Sequence, residues 1–465
     1  MIFKLDEKNP NAIAAIDEEG KIITYGELIS FSEGYREWIS KKTLVFVLCK
    51  NTQEALKVYV ASLCNEVVPL LLDGGLDQEL LENLIKTYEP EFLWLPKERL
   101  DAFDYDVHAE VDDYVLVKTG YTNNDLFKDL ALLLTTSGST GTAKLVRQSY
   151  TNIMANAEAI VEYLEITEKE RPITNLPMSY TYGLSVINSH LLAGATILLT
   201  DRSIFQKEFW AFFKEKEATS MAGVPYTYEM LKKLRFFRME LPSLRTLTQA
   251  GGKLSPELHK EFAEYSRDHG IRFFVMYGQT EATARMSYLP WEKSIEKYGS
   301  MGVAIPGGKF SLIDAEGNEI NDPEITGELV YEGPNVTLGY AESKEDLALG
   351  DERFGKLITG DMAKKDADGF YYIVGRKKRF LKIFGKRVNL DECERMVKQE
   401  FEIECACAGR DDLLYIYVLD ESLKKPACQF LSSKMNLHHT AFKAVVLESI
   451  PKNEAGKIQY KELPL

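Results

Sequence analysis

The chain reads as an α/β protein: a large region of mostly parallel sheets flanked by helices, a β subdomain after it, and a small α/β unit at the C-terminal end. Three observations predict this. Within residues 1–130, apolar strand-like runs alternate with amphipathic stretches, the βαβα rhythm of parallel sheets covered by helices. From about Met301 to Val374 the chain turns to short strands with Gly and Asn turns. From Arg376 it becomes basic and then continues as a compact α/β segment.

Taken in order, Thr43–Cys49 (TLVFVLC) is a buried strand, Thr52–Cys64 an amphipathic helix, and Val67–Leu72 and Phe92–Leu95 further strands. Asp101–Asp125 is acidic, tyrosine-rich and weakly periodic, and reads as a connector. The apolar run at Leu132 reads as a buried strand that breaks into Thr135, Thr136, Ser137, Gly138, Ser139, Thr140, Gly141 and Thr142, with Lys144 close behind. A helix is expected over roughly Ser149–Tyr163. An apolar segment then runs from NLPMSYTYGL at Asn175–Leu184 to Leu199, with a Gly turn and a strand at its end. Ser220–Val224 reads as a strand turning at Pro225. Leu244–Ala250 reads as a strand ending in Gly251 and Gly252, and Ile271–Met276 as one ending in Tyr277-Gly278-Gln279-Thr280-Glu281. In parallel α/β sheets, ligands gather beyond such C-terminal strand ends.

Composition limits the function classes. The 465 residues are 45% hydrophobic and 27% charged, as expected of a packed enzyme. A net charge of −15 argues against nucleic-acid or anionic-membrane partners. No run of eighteen apolar residues suggests a membrane span, and the opening MIFKLDEKNP lacks a signal-peptide layout. The six cysteines form no disulfide framework, and Cys405-Ala-Cys407 reads as thiols in a strand with no second ligand pair. A cytoplasmic protein is the simplest expectation. The six histidines share no motif and receive no role.

The run at 135–144 carries the strongest chemical signal. Small and hydroxylated residues cannot build a core, but they wrap an anion well. Glycines free backbone N–H groups, hydroxyls donate, and a lysine adds charge. A Ser/Thr-rich surface turn is the bland alternative. A Walker-type loop is excluded by spacing, because Ala143 precedes Lys144 and Leu145 follows it. Asp361 alone reads as a turn residue and Lys457 alone as a solvated lysine.

Seven ordered motifs change that weighing. TTSGSTGTAK resembles the signature loop of the adenylate-forming ligases: acyl-CoA synthetases, peptide-synthetase adenylation domains and luciferases. ITYGEL at Ile23–Leu28, LPMSYTYGL at Leu176–Leu184, YGQTE at Tyr277–Glu281, TGD at Thr359–Asp361, GRKKRFLKIFGKRVNLDECE at Gly375–Glu394 and PKNEAGK at Pro451–Lys457 match the family in order. Two departures, Ala143 where the family usually has Pro and Leu145 where it has Gly, touch loop rigidity and leave the contribution of Lys144 open.

The resemblance implies roles. Thr136, Ser137, Gly138, Ser139, Thr140, Gly141 and Lys144 would hold the β- and γ-phosphates of ATP. Gly251 and Gly252 would admit the base, with Tyr277 and Gly278 against it. Thr280 would sit near the α-phosphate and Glu281 on Mg²⁺. Asp361 and Arg376 would hold the ribose. Lys457 would bridge the attacking carboxylate and the phosphate, an electrostatic role. Lys378 would be the hinge between a large domain (1–377) and a small mobile lid (378–465). Lys382 and Gly385 would serve the thiol step, Gly385 leaving room for a pantetheine arm. Ser179, Tyr180, Tyr182, Gly183, Val224, Met276 and Ala282 would line the acid pocket. No Asp lies in Met178–Thr181, which disfavours an α-amino acid, and the Asn usual in aryl-acid activators is missing too. The expected activity is an ATP- and Mg²⁺-dependent ligase that joins a small carboxylic acid to the thiol of CoA or of an acyl carrier protein. A luciferase-like oxygenase and a non-catalytic nucleotide sensor share the motifs and stand as the alternatives.

Overall fold

A computed structural model of the chain describes residues 1–122, 125–135, 144–384, 386–435, 437–452 and 458–464. It divides into two compact units, Met1–Phe310 with Tyr331–Leu357, and Ser311–Val330 with Ile358–Leu465.

The first unit holds two large sheets. In one, Ile13–Asp17, Ile197–Leu199, Pro172–Ile173, Ser220–Gly223, Thr246–Gln249 and Arg272–Tyr277 run parallel, in that spatial order. Antiparallel strands close its edges. In the other, Leu44–Cys49 lies between Val68–Asp73 and Phe92–Pro96, and Val68–Asp73 pairs in parallel with Leu130–Thr135. Leu44–Cys49 is buried at every position, which is why it reads as an unbroken apolar run and not as an alternation.

Helices start where hydroxyl side chains can cap them. Thr24 makes a capping box with Glu27 before Tyr25–Trp38, and Thr52 caps Gln53–Cys64. Ser149 makes a box with Asn152 before Tyr150–Leu164. Helix Thr181–Ala193 stops at Gly194, whose φ of 80° suits a residue without Cβ.

Three expectations are corrected. The stretch 101–125 is not merely a connector: Asp106–Val111 and Tyr114–Lys118 form an antiparallel hairpin turning at Asp112. The outer strand is largely exposed, so no burial pattern marks it in the sequence. Pro225 does not close a turn; it opens the helix Pro225–Lys233 at the first position, where its missing N–H costs nothing. The β-rich stretch after Met301 is shared out. Lys309–Ile313, Gly327–Glu332, Lys356–Lys365 and Tyr371–Arg376 make a four-stranded sheet, whereas Val303–Ala304 and Gly339–Ala341 join the two large sheets.

In the second unit, the hairpin Phe380–Ile383/Lys386–Asn389 leads into helix Leu390–Phe401. A three-stranded sheet follows, with Leu413–Val418 in the centre. Cys393, Cys405 and Cys407 are buried free thiols in this core, as expected of strand and helix packing residues. Among the described residues no His/Cys/Asp/Glu group could hold a metal by itself, and no helix is long and apolar enough to cross a membrane.

Two histidines of the first unit are buried neutral. His190 Nδ1 lies 2.8 Å from Val186 O and so carries its proton there. His259 Nδ1 accepts from Gly299 N at 3.0 Å, and its Nε2 faces Ser294 Oγ. Burial pushes both imidazoles down to about 4. The unfolded chain therefore binds more protons than the folded one between about pH 6.5 and 4. Stability from this source is complete above about pH 6.5 and is lost as pH falls toward 4. Urea midpoints measured across this window are expected to fall with pH, and the fall should shrink in a His190→Gln, His259→Gln double variant.

Candidate active site

The run 136–143 is bracketed by two strands that pair in antiparallel register, Leu134 with Val146 and Thr135 with Leu145. Thr136, Ser137, Gly138, Ser139, Thr140 and Gly141 lie outside the described residues, as do Gly385 and Lys457. Lys144 stands at the foot of the exit strand. It is half exposed, pairs with Glu342, and lies 5.6 Å from the centre of the Tyr340 ring.

The exit strand carries a buried arginine. Arg147, with a side-chain exposure of 0%, donates to the carbonyls of Tyr340, Leu349 and Gly350 and pairs with Glu352. Five N–H donors in a rigid fork suit this arrangement. The result is that segment 339–353 is tied to the strand, and Gly339–Ala341 pairs antiparallel with Leu145–Arg147.

That tie sets up the surroundings of Glu281. Tyr340 OH donates to Glu281 Oε1 at 2.7 Å. Burial, then the neighbouring carboxylate, pushes the Tyr340 phenol up, so it stays protonated and donates. Arg353 lies 4.6 Å from the Tyr340 ring centre, a cation–π distance, and donates to the Glu281 carbonyl at 3.0 Å. Thr337 adds its N–H and its hydroxyl to the same carbonyl.

The loop bearing Glu281 is closed by a tight turn. Ala284 N donates to Ala282 O at 2.7 Å across Thr283, whose φ of 65° and ψ of −59° make a γ-turn of the rare, strained form. Thr283 is held there from both ends: its hydroxyl donates to Asn335 O at 2.7 Å, and its carbonyl accepts from Thr181 Oγ1. Gly278 lies against the far side of the turn, where a Cβ would come within 1.8 Å of Ala284 O. Strain of this kind persists where surrounding contacts over-determine it, as they do here.

The expected acid-pocket residues fall into two neighbouring groups. A Cβ on Gly251 would meet Tyr180 OH at 2.6 Å and Val224 Cγ1 at 3.0 Å, so these three adjoin. Gly251 itself has φ 80°, and the Gln249 amide donates to Gly252 O at 2.9 Å, fixing the turn. Tyr182 and Met276 meet at Arg285, which the sequence reading did not single out. Tyr182 is buried and donates to Thr248 Oγ1 at 2.8 Å. Gly183 packs against backbone, its Cβ position 2.2 Å from Pro177 O, so its place is explained by helix packing. Ala282 is buried and its carbonyl accepts from Asn335. Ser179 is half-buried beside Tyr180. Tyr277 OH accepts from Gln279 at 3.0 Å, next to Thr280.

In the second unit, Asp361 and Arg376 face each other in strand register, with Arg376 Nε 3.2 Å from Asp361 Oδ1. The carboxylate is buried while the guanidinium is two-thirds exposed. Lys378 lies in the single turn Lys377–Arg379, between the strands Tyr371–Arg376 and Phe380–Ile383, and is exposed. Lys382 is exposed on the hairpin, its N–H bonded to Asp411 and its carbonyl to Asp412 N.

Parallel strand ends, a lysine at the foot of a Gly/Ser/Thr run, and a fixed carboxylate beside it describe a nucleotide-binding α/β protein. A family model described as AMP-binding enzyme matches residues 3–341, and the chain belongs to that family. Among curated relatives it is 29% identical over 349 residues to 4-coumarate–CoA ligase-like 2 of Arabidopsis thaliana, covering 72% of this chain and 61% of that one. It is 25% identical over 468 residues to 2-succinylbenzoate–CoA ligase of Listeria innocua, covering 96% and 94%. The aligned part spans 61%, 64% and 65% of the length of three plant CoA ligases. Among solved structures, O-succinylbenzoate coenzyme A synthetase of Bacillus subtilis in complex with AMP shares the fold, with a TM-score of 0.79 at 22% identity over 99% of this chain and 97% of that one.

The packing of Gly278 makes a direct prediction. Gly278→Ala should displace the Thr283 turn and lower the thermal midpoint by several degrees, the consequence of roughly 1–3 kcal/mol of overpacking. Scanning calorimetry of the two proteins checks it, and an unchanged midpoint would show that the turn can move freely.

Proposed function

We propose that the protein is an AMP-forming acid–thiol ligase. It activates a small carboxylic acid other than an amino acid as its acyl-adenylate, releasing pyrophosphate, and then passes the acyl group to a pantetheine thiol of CoA or of an acyl carrier protein. One observation carries the reading: Tyr340 joins the foot of the loop to the candidate metal ligand, touching Lys144 with its ring and Glu281 with its hydroxyl.

The residues suit ATP with Mg²⁺. Glu281 Oε1 is occupied by Tyr340, while Oε2 receives no hydrogen bond from the described residues. A single fixed carboxylate fits Mg²⁺, which takes one or two carboxylates and completes its shell with phosphate oxygens and water. Bound there, the ion would neutralise charge on the phosphates. Lys144 would exchange Glu342 for phosphate. Asp361 offers the side-by-side acceptor that two ribose hydroxyls need.

The rest follows the family resemblance. Thr136–Gly141 hold the β- and γ-phosphates, Tyr277 lies against adenine with Gly251 and Gly252 admitting the base, and Thr280 lies by the α-phosphate. The acid is an ionised carboxylate at neutral pH, so it needs no general base. Lys457 would bridge the attacking carboxylate and the phosphate, offsetting the negative charge that crowds together as a carboxylate oxygen attacks the α-phosphorus and pyrophosphate leaves. Adenylation converts a poor leaving group, oxide, into AMP. Rotation at Lys378 then brings in Lys382 and Gly385 for thiol attack. Six free cysteines suit a reducing compartment, and we assign the protein to the cytoplasm.

Pyrophosphate release across a panel of carboxylic acids, with CoA and with a holo carrier protein, tests the activity, and silence across the panel would refute it. Lys457→Ala should cut acid-dependent ATP–pyrophosphate exchange by roughly 100-fold or more while ATP binding by calorimetry persists, as removal of a transition-state charge requires. Normal exchange would remove Lys457 from the mechanism. Lys382→Ala should slow thioester formation more than pyrophosphate exchange, and equal losses in the two half-reactions would argue against a second working face.

A further inference from the structure

Two arginines are buried in the first unit, and they are treated differently. Arg147 has a carboxylate and three carbonyls. Arg285 is 2% exposed and pairs with no carboxylate among the described residues. Its Nε donates to Ser185 Oγ at 3.1 Å, and its Nη1 to Tyr163 OH at 3.2 Å and Met276 Sδ at 3.5 Å. Its guanidinium carbon lies 5.1 Å from the Tyr182 ring centre. Neutral oxygens, a thioether and a ring face do not balance a full charge removed from water.

Arg285 also borders a small, partly open pocket of ≈ 20 Å³, with Thr248, Ala222, Val186, His190 and Arg272 in its walls. Glu170, at the same pocket, is already engaged by Thr219 and by Arg245 at 3.6 Å. Nη2 of Arg285 takes no partner from the described residues. A cation with an unused donor therefore lines this pocket, and the same guanidinium contacts two side chains, Tyr182 and Met276, of the expected acid pocket.

We propose that Arg285 is the receptor for the far end of the acid, and that the substrate carries a second carboxylate there. The inference rests on the ligase reading given above and adds to it the class of acid: a dicarboxylic acid, activated at one carboxylate and held at the other. The second carboxylate supplies the charge that Arg285 lacks, in a planar geometry that its fork matches. Tyr163 OH accepts from Nη1 and donates to Met276 Sδ at 3.0 Å, so its proton becomes available to the carboxylate when Met276 moves. The pocket as it stands has room for about one water. The tail gains entry when Met276 turns aside; its unbranched chain has three rotatable bonds and adapts at small cost. Serving only as packing, the position would tolerate an apolar chain of the same length.

The test uses the full chain with straight-chain mono- and dicarboxylic acids of matched length. Pyrophosphate release is measured for wild type, Arg285→Met and Arg285→Lys, and the thermal midpoint is measured with each diacid in the absence of ATP. Wild type should prefer diacids by roughly 100-fold or more in kcat/KM, since a site built around a polar group discriminates strongly against a ligand lacking it. Arg285→Met should lose that preference while still turning over monoacids, and Arg285→Lys should keep part of it. Diacids should raise the midpoint of wild type and not of Arg285→Met. Equal use of mono- and diacids by wild type, or an Arg285→Met variant with the preference intact, overturns the proposal. If no acid releases pyrophosphate, the ligase reading fails; the midpoints then decide on the receptor, a shift confined to proteins with Arg285 supporting it and no shift in wild type overturning it. Should Arg285→Met fail to fold, Arg285→Lys carries the comparison, and an unaltered preference there counts against bidentate recognition of the tail.

Discussion

A guanidinium withdrawn from water needs acceptors on every side, and Arg147 obtains them from one short segment of chain. Its carboxylate partner and three carbonyls all come from residues 340–352. Because those groups must converge on the exit strand of the loop hairpin, the segment's path is settled. Tyr340 then falls between Lys144 and Glu281, and Arg353 falls on the Glu281 carbonyl. The loop hairpin and the candidate metal ligand lie far apart in sequence. Their relation depends on this buried arginine and its acceptors more than on either motif.

Glu281 is consequently held by both its carboxylate and its main chain, with the strained turn at Thr283 directly behind it. Fixed dipoles and charges are worth most where they need not reorganise during reaction. The several hydrogen bonds around Thr283 and Asn335 are the local contacts that keep an unfavourable backbone conformation in place.

Much of the architecture was legible. Leu44–Cys49 and Leu130–Thr135 are buried almost throughout, so they show as plain apolar runs. The helix after the loop shows through its apolar positions at helical spacing, and the structure adds the Ser149/Asn152 cap at its start. The hairpin over 106–118 was not legible, because its outer strand is exposed and carries no alternation. Glu281, Asp361 and Arg376 were singled out through motif order, and the pairing of the last two follows from strand register. Tyr340 and Arg353 escaped because their meaning lies in partners many residues away: 59 positions separate Tyr340 from Glu281. Arg285 left one trace, a charge inside the otherwise uncharged run ATARMSYL, yet only burial distinguishes it from a surface residue.

The contact between Gly278 and Ala284 has a bearing on how such a pocket diversifies. The turn on which Glu281 rides is packed backbone to backbone, so neither an inserted residue nor a larger side chain at 278 can be absorbed without moving the carboxylate. Tyr182 and Met276, in contrast, meet Arg285 by their side chains alone. On the proposed ligase reading, acid preference can vary in those side chains without moving the turn, and a laboratory campaign to retune the substrate would start there.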